Sequence, residues 1–447
     1  MRKLIITALF VLFLLPAVGS AQSDWTFVNV WPPDTSATQG GHGLAIDDAG
    51  KVWVGAYWSR QWITDDGDTV ARTPIDVHHN PGGQPADFAP IYEFYHGEND
   101  TLRPGYVTGM NTDNEGNILI ALHGERNYAG TLDASVAYIL RVDPYTGELL
   151  GYNRDDITIE REPGTAHAPN RPVATDDGYI IVSFVWGSGT PILILNQELE
   201  LFATPVEEKS GFSRTLEASS DGEFIYHPGY DQGYLTIYQG DIFGDYEIVD
   251  TTMAHGMVPG AVVLDPTDSN ILWLAADGGG WDPGSTAEWN NNAFYAFDLT
   301  TKEVVDSIIV EVGGFPRPRA SAFSPDGDRF FVGRFDSGTM AALQYARPGT
   351  SVEQKDDFIA SGYELSQNYP NPFNPTTQID FTINESAMTT LTVYDVLGRE
   401  VKTLINEHLT AGGYTVTFDA TNLPSGTYLY VLESAGQRLM KRMVLIK

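Results

Sequence analysis

Between residues 24 and 347 one phrase of apolar and polar positions keeps returning: an apolar run, a turn rich in Asp, Asn, Ser and Gly, then a second apolar run. Leu44, Ala45 and Ile46 precede the turn Asp47, Asp48, Ala49, Gly50, and Val52, Trp53 and Val54 follow it. The phrase occupies 43–55, 108–121, 172–183, 215–226, 261–274 and 320–332. A third run follows most copies, at 137–148, 191–196 and 293–303, and a more polar fourth comes next, as at 303–310. Short apolar runs bounded by turn residues read as strands. Four antiparallel strands, repeated six times at about 50 residues each, predict an all-β chain whose main body is a six-bladed β-propeller.

The ends of this region suggest how the ring closes. The sixth unit has strands near 319–324, 329–334 and 339–346, then meets Arg347, Pro348 and Gly349 without an outer strand. At the other end, 25–31 reads as a strand with no unit of its own. Pairing the two closes the ring and removes an exposed sheet edge.

The pattern changes after 347. Residues 348–362, with Gly349, Ser351, Lys355, Asp356 and Asp357, read as a linker. The order Asn368, Tyr369, Pro370, Asn371, Pro372, Phe373, Asn374, Pro375 excludes helix, because each proline fixes φ and pushes its predecessor toward extended geometry. Alternating runs follow at 378–383, 390–396, 400–404, 414–418, 426–432 and 438–446, with turn residues at 397–399, 411–413 and 423–426. Residues 363–447 are therefore expected to form a small β-sandwich.

This last block closely resembles the type A C-terminal sorting domain of the type IX secretion system. The resemblance is carried by 368–375, by the run 393–401 with Gly398 and Arg399, by 423–428, and by a basic final strand with Lys441 and Arg442. It implies an immunoglobulin-like sandwich, engagement of the type IX machinery, export across an outer membrane, and often cleavage with attachment to the cell surface. The middle region resembles the YVTN, NHL and WD40-like propellers, without a diagnostic Trp-Asp pair. That resemblance implies fold and not activity.

Residues 1–21 fit the same route. Arg2 and Lys3 precede the apolar stretch 4–15, and Gly19, Ser20 and Ala21 form a small-residue cleavage site, which reads as a secretory signal. The apolar run is short for a membrane span and no other stretch qualifies, so no transmembrane segment is expected after signal removal. The expected location is secreted or on the outer cell surface, reached through the periplasm. The 447 residues contain no cysteine, which excludes disulfides, zinc–thiolate sites and a cysteine nucleophile. Net charge is −33, and since the two terminal blocks nearly cancel, the excess falls on the propeller region. Such a surface disfavours nucleic acid and anionic membranes as partners. It serves solubility, in a salty habitat for example, or it meets a cationic partner.

Candidate chemistry concentrates in the loops opposite the short turns. These are long, at 58–69, 78–105, 123–136, 153–170, 227–233 and 277–292, and long loops on one rim of a rigid scaffold commonly carry function. They hold Trp58, Trp62, Tyr92, Tyr95, Tyr128, Trp186, Tyr230, Trp281 and Trp289. Arg171, Arg214 and Arg319 stand just before first strands, near the expected channel. Either they bind an anionic ligand bidentately, or each pairs with an acid of a neighbouring blade. Asp113 to Asn117 and Asp65 to Asp68 suggest calcium, but both lack the distal Glu of an EF-hand and tight-turn chemistry explains them too. Otherwise no cofactor or metal is evident. Two functions remain: a binding propeller that recognises a glycan, peptide or envelope partner through its long-loop face, or an extracellular hydrolase, lactonase or lyase. The second needs a tuned acid or base in the central mouth, and His42, His123, His227, His255 and Asp277 are its candidates.

Overall fold

Each copy of the repeated phrase forms an antiparallel hairpin. The computed structural model of the chain describes residues 25–31, 41–64, 66–79, 85–96, 100–186, 189–209, 211–277, 289, 292–310, 318–334, 342–347, 352–355, 362–409, 411–421 and 423–447, and every regular element in it is a strand. No helix among them is long and apolar enough to cross a membrane. The signal at 1–21 lies outside the described residues.

Six antiparallel sheets of three or four strands follow one another among the described residues up to 346. The first joins Gly41–Ile46, Val52–Ala56 and Ile75–His78, and the second runs through Pro104–Thr112, Ile118–Arg126, Leu132–Val142 and Leu149–Asn153. The third to fifth begin at Val173–Ala174, Glu217–Ala218 and Pro259–Asp265. In the sixth, Pro318–Phe323, Arg329–Arg334 and Ala342–Ala346 gain Thr26–Trp31 as outer strand, with Phe27 opposite Tyr345 and Trp31 opposite Ala342. The closure expected from the orphan strand is therefore present.

Alternation along each strand explains the ring. Ile118, Ile120 and Leu122 of the second sheet pack with Trp53 and Val77 of the first, while Leu119 and Ala121 pack with Ile180 and Val182 of the third. Successive side chains point to opposite faces, so a strand covered on both faces must be apolar throughout. Separate cores fill the gaps between the third and fourth, fourth and fifth, fifth and sixth, and sixth and first sheets. Each fully buried aliphatic side chain in them contributes about 2 kcal/mol of transfer free energy. The first strands of neighbouring sheets touch in cyclic order, and the chain is a toroidal β-propeller.

The short turns are held by aspartate. Asp47 Oδ1 accepts the N–H groups of Ala49 at 3.1 Å and Lys51 at 2.8 Å, and its Oδ2 accepts the indole N–H of Trp53 at 2.9 Å. Asp113 does the same for Glu115 and Asn117 and pairs with Arg141 at 2.7 Å. Asp113 Oδ1 thus serves the turn amides, while Oδ2 accepts Asn117 Nδ2 at 3.2 Å and meets Arg141.

The C-terminal block holds two four-stranded sheets that share one core. One is ordered Val352–Lys355, Gly412–Asp419, Thr376–Ile383, Glu364–Leu365, and the other Glu400–Leu409, Ala387–Asp395, Gly426–Ser434, Gln437–Leu445. Phe381, Tyr414, Tyr430 and Met443 are among the side chains between them. One strand of this sandwich comes from the stretch expected to be linker: Val352–Lys355 pairs with 413–416. Without it, Gly412–Asp419 would present an unpaired edge.

Candidate functional site

One buried side chain links the first strands of three other sheets. Arg171 is buried; its Nη1 donates to Glu217 Oε2 at 2.9 Å and to the Val262 carbonyl at 3.1 Å, and its Nη2 to Asn111 Oδ1 at 3.0 Å. Arg171 precedes the first strand of the third sheet, and its partners sit on the first strands of the second, fourth and fifth. A planar fork of five N–H donors suits several acceptors at once. Of the two readings of Arg171, pairing with a neighbouring acid is what the geometry shows. Toward the short turns lies a cavity of about 1040 Å³, lined among others by Asp48, Asp221, Asp250 and Asp265, with Arg171 and Glu217 also in its wall.

A second recess lies on the flank of the first two sheets. The first sheet has three strands, and 85–96 runs beside it through the bridges His78 to Pro85 and Ile75 to Ile91. Two of the long loops are not irregular: they fold into the hairpins Arg60–Ile63 with Thr69–Arg72 and Phe94–His96 with Asp100–Leu102. Between these additions is a groove of about 700 Å³ lined by Trp62, Tyr92, Tyr95 and Tyr128 together with Arg72 and Glu93. Its wall also includes 146–149, a turn at the opposite end of the second sheet, so the groove extends along the side of the ring beyond the long-loop rim.

Glu93 is the polar centre of this groove. Its Oε1 accepts Arg103 Nε at 2.7 Å and lies 3.7 Å from Arg72 Nε, and its Oε2 accepts the Tyr95 hydroxyl at 3.2 Å. The carboxylate charge of Glu93 raises the Tyr95 hydroxyl's pKa, with burial adding to it. Arg72 Nη2 donates to the Tyr128 carbonyl at 2.8 Å, and Arg103 lies 5.6 Å from the centre of the Tyr128 ring. Trp62 and Tyr92 have ring centres 4.4 Å apart, and Trp62 is 42% exposed, Tyr95 69% and Tyr128 56%. The sequence drew notice to the aromatic residues. Arg72, Glu93 and Arg103 escaped it, because they are scattered across 72–103 with no spacing that marks them as neighbours.

The residues expected to be catalytic fall in several places. His42 is buried with Nδ1 at 3.1 Å from the Thr108 carbonyl, and a chain of rings runs from it through Tyr57 and Tyr106 to His123. Burial lowers the pKa of His123, opposed by the carbonyls of Ala134 and Ala166. His227 is fully buried and held well below the ordinary imidazole range, first by burial and then by Lys209. His255 is exposed beside Tyr234, and its carbonyl accepts the indole N–H of Trp289 at 2.9 Å. Trp289 packs on Tyr295 and Phe297. Asp277 ends the second strand of the fifth sheet, opposite Asn292. The side chains of Asp277 and Arg319 lie outside the described residues, as does Trp281. Arg214 sits over Phe212 and Tyr230, and Trp58, 42% exposed, packs edge-on against Tyr57.

The motif expected to direct sorting divides by burial. Asn368 is buried: its Nδ2 donates to the Pro370 carbonyl at 3.0 Å and to Thr377 Oγ1 at 2.9 Å, and its N–H reaches the Tyr430 hydroxyl at 2.9 Å. Asn371 Oδ1 accepts the Val444 N–H at 3.0 Å, and Phe373 fills the core and bonds to Val444 and Ile446 through its backbone. Asn371 and Phe373 join the start of the domain to its last strand, and Asn368 joins it to the neighbouring strand Gly426–Ser434. Tyr369, Pro370, Pro372, Asn374, Gly398, Arg399, Lys441 and Arg442 are exposed, and Pro375 is half-buried. Gly398 has φ of +75° in the turn where Arg399 Nε bonds Asp395 Oδ2 at 2.7 Å.

No curated protein matches the chain. Among solved structures, the periplasmic gluconolactonase of Pseudomonas aeruginosa is similar at 15% identity and TM-score 0.42, over 85% of this chain and 88% of that one. A putative 6-phosphogluconolactonase from Bacteroides fragilis is similar at 13% and 0.40, over 85% and 87%. A fungal alcohol oxidase of the AA5 family, in complex with copper, follows at 12% and 0.41, over 91% and 85%. Likeness at this level does not bear on activity. The two-sheet sandwich with its Asn-Pro entry and basic final strand has a family of its own: residues 367–447 match the secretion system C-terminal sorting domain, and this part of the chain is a type IX sorting domain.

Proposed function

We propose that this exported propeller is a glycan-binding protein whose binding surface is the flank groove of Trp62, Tyr92, Tyr95 and Tyr128. The sorting domain implies export to the cell surface or medium by the type IX machinery. The observation that carries the binding reading is the groove's make-up: exposed aromatic side chains around a Glu93 carboxylate held by Arg103, Arg72 and the Tyr95 hydroxyl. A sugar ring offers an apolar C–H face and polar edges. Aromatic planes match the face, and rigidly held charged groups match the hydroxyls. Aromatic contacts of this kind are worth about 1 kcal/mol beyond area burial, and a preorganised polar centre lowers the entropy lost on binding.

The test is a glycan array on the full mature chain, followed by calorimetry with the best oligosaccharide. Trp62→Ala and Tyr95→Ala should each weaken binding about tenfold, or about 1.4 kcal/mol, with melting unchanged. Undiminished binding by both variants would rule out this groove. Binding of peptides and of no glycan would favour the peptide reading instead.

A further inference from the structure

The gap between the third and fourth sheets changes character along its height. Toward the short turns it is apolar, with Ile181, Ile192 and Ile194 of the third sheet against Ile225 and Tyr238 of the fourth. Alternation carries the same faces on toward the long loops. Ser183 comes two residues after Ile181, His227 two after Ile225, and Thr236 two before Tyr238, so all three point into this gap. His227 and Thr236 stand opposite each other in the ladder, and Asn170 donates its N–H to the Ser183 carbonyl at 2.8 Å. The preceding gap is different. Counted from the residues that close the short turns, Asn117, Tyr179 and Phe224, the positions matching Ser183 and His227 there are Ala121 and Val182, which share an apolar core.

Asn170, Ser183, His227 and Thr236 are completely buried. Asn170 Nδ2, Ser183 Oγ and Thr236 Oγ1 have no hydrogen-bond partner, and neither ring nitrogen of His227 has one on another residue. Lys209 is also buried, and its charge reaches His227. Its Nζ donates to the Gly211 carbonyl at 2.8 Å, the ammonium's one hydrogen bond among the described residues.

We propose that this polar layer is an anion site, which holds a small monovalent ion of the halide class between the third and fourth sheets through Lys209, Asn170, Ser183, His227 and Thr236.

Buried polar atoms left unpaired are costly, and several in one gap weigh heavily against the small net stability of a fold. The inventory of groups decides what relieves them. Lys209 and Asn170 Nδ2 can only donate, the two hydroxyls rotate to donate, and a neutral imidazole donates through one nitrogen. Burial holds His227 well below the ordinary imidazole range, and Lys209 acts in the same direction, so the ring is neutral. Burial pushes Lys209 down to about 8, opposed by Asp231, so the ammonium is the charged form at pH 7. Asp231 forms no ion pair with it among the described residues; its Oδ1 accepts the Phe212 N–H at 2.7 Å. A buried cation with donors on the facing strands is matched by a negative ion, whereas a water must itself donate. One ammonium balances one charge, and a spherical ion accepts from two sheets without a planar or tetrahedral pattern. The site lies away from the flank groove of the first two sheets and is independent of the glycan reading.

The full mature chain is dialysed into sodium gluconate, and its unfolding is followed by calorimetry as chloride replaces gluconate at constant ionic strength. An ion that binds only the folded state should raise the melting temperature of the propeller by about 3 °C per tenfold rise in chloride above saturation. Bromide should act like chloride and sulfate should not. A crystal soaked in bromide should show an anomalous scattering peak between Lys209 and Thr236. Lys209→Met should abolish the chloride response. Thr236→Val, which keeps the shape of the side chain, should move half-saturation to about tenfold higher chloride and serves if Lys209→Met does not fold. Melting that ignores chloride would overturn the proposal, as would an equal rise with sulfate. A bromide peak elsewhere, with an unaltered response in Thr236→Val, would also overturn it.

Discussion

At the scale of single residues, Arg171 and Asp328 carry the sharpest consequences. Arg171 ties four sheets across the axis through Glu217, Asn111 and the Val262 carbonyl. Removing one partner of a buried pair leaves an uncompensated charge, so Arg171→Ala should cost about 3 kcal/mol in urea unfolding. Arg171→Ala with Glu217→Gln should cost less than the sum of the two single changes, and simple additivity would show that the pair is not coupled. Asp328 follows the opposite logic. Burial pushes its carboxyl up to about 7 from 3.8, Asp326 adds to the effect, and Lys402, Arg329 and Arg347 oppose it. Between these values the folded chain holds a proton that the unfolded chain has released. Stability from this group is therefore complete below about pH 4 and is lost as pH rises through 7. Asp328→Asn should raise stability by about 2 kcal/mol at pH 8 and change it little at pH 4. Melts at both pH values check this, and equal effects would remove the ionisation argument.

At the scale of elements, strands were legible wherever short apolar runs met turn residues. The six runs expected after 376 all appear, extended at one or both ends, as in Thr376–Ile383 and Glu400–Leu409. Val352–Lys355 escaped because Val352, Glu353, Gln354 and Lys355 offer no apolar alternation; the free edge of Gly412–Asp419 makes it a strand. The N-terminal strand is a case where edge logic succeeded. Trp25 packs 5.9 Å from Trp273 and lies under Arg347 at 5.0 Å, in the core between the fifth and sixth sheets. Trp25→Ala should cost about 3 kcal/mol, and deleting 25–31 should uncover Ala342–Ala346 and drive association visible by light scattering. A deletion variant that stays monomeric and melts like the parent would refute the role given to this strand. In the sorting domain, Asn368→Ala removes three side-chain hydrogen bonds, to Pro370, Thr377 and Gln367, and should cost about 2 kcal/mol. Lys441→Glu with Arg442→Glu, both exposed on the edge strand Gln437–Leu445, should leave the melting of that domain unchanged.

At the scale of the whole molecule, propeller and sorting domain have separate cores. Export should fail when 363–447 is deleted, with folded propeller retained in the periplasm of a host that carries the type IX machinery. The doubly charge-reversed variant, stable by the argument above, then reports on recognition alone. Its normal appearance at the surface would place recognition elsewhere in the domain. Asn368→Ala should lower export in proportion to the lost stability of the sandwich, and the two variants separate a folding defect from a lost contact.

Local chemistry was enough for much of this molecule. The repeat, the Asp-rich turns, the orphan strand and the sorting motif each lie within a few neighbouring residues, where propensity and alternation act directly. The sites do not. Arg171 meets partners 46 to 91 residues away, so pairing and ligand binding both stayed open until the ring closed around it. Trp62 lies 4.4 Å from Tyr92 only because two hairpins fold onto the open side of a three-stranded sheet. Arg161, in a hairpin of charged residues, was not singled out, and its place 4.2 Å over the Trp186 ring depends on a loop of the next sheet. Contacts made across sheets depend on the closure of the whole ring, and no stretch of sequence contains that.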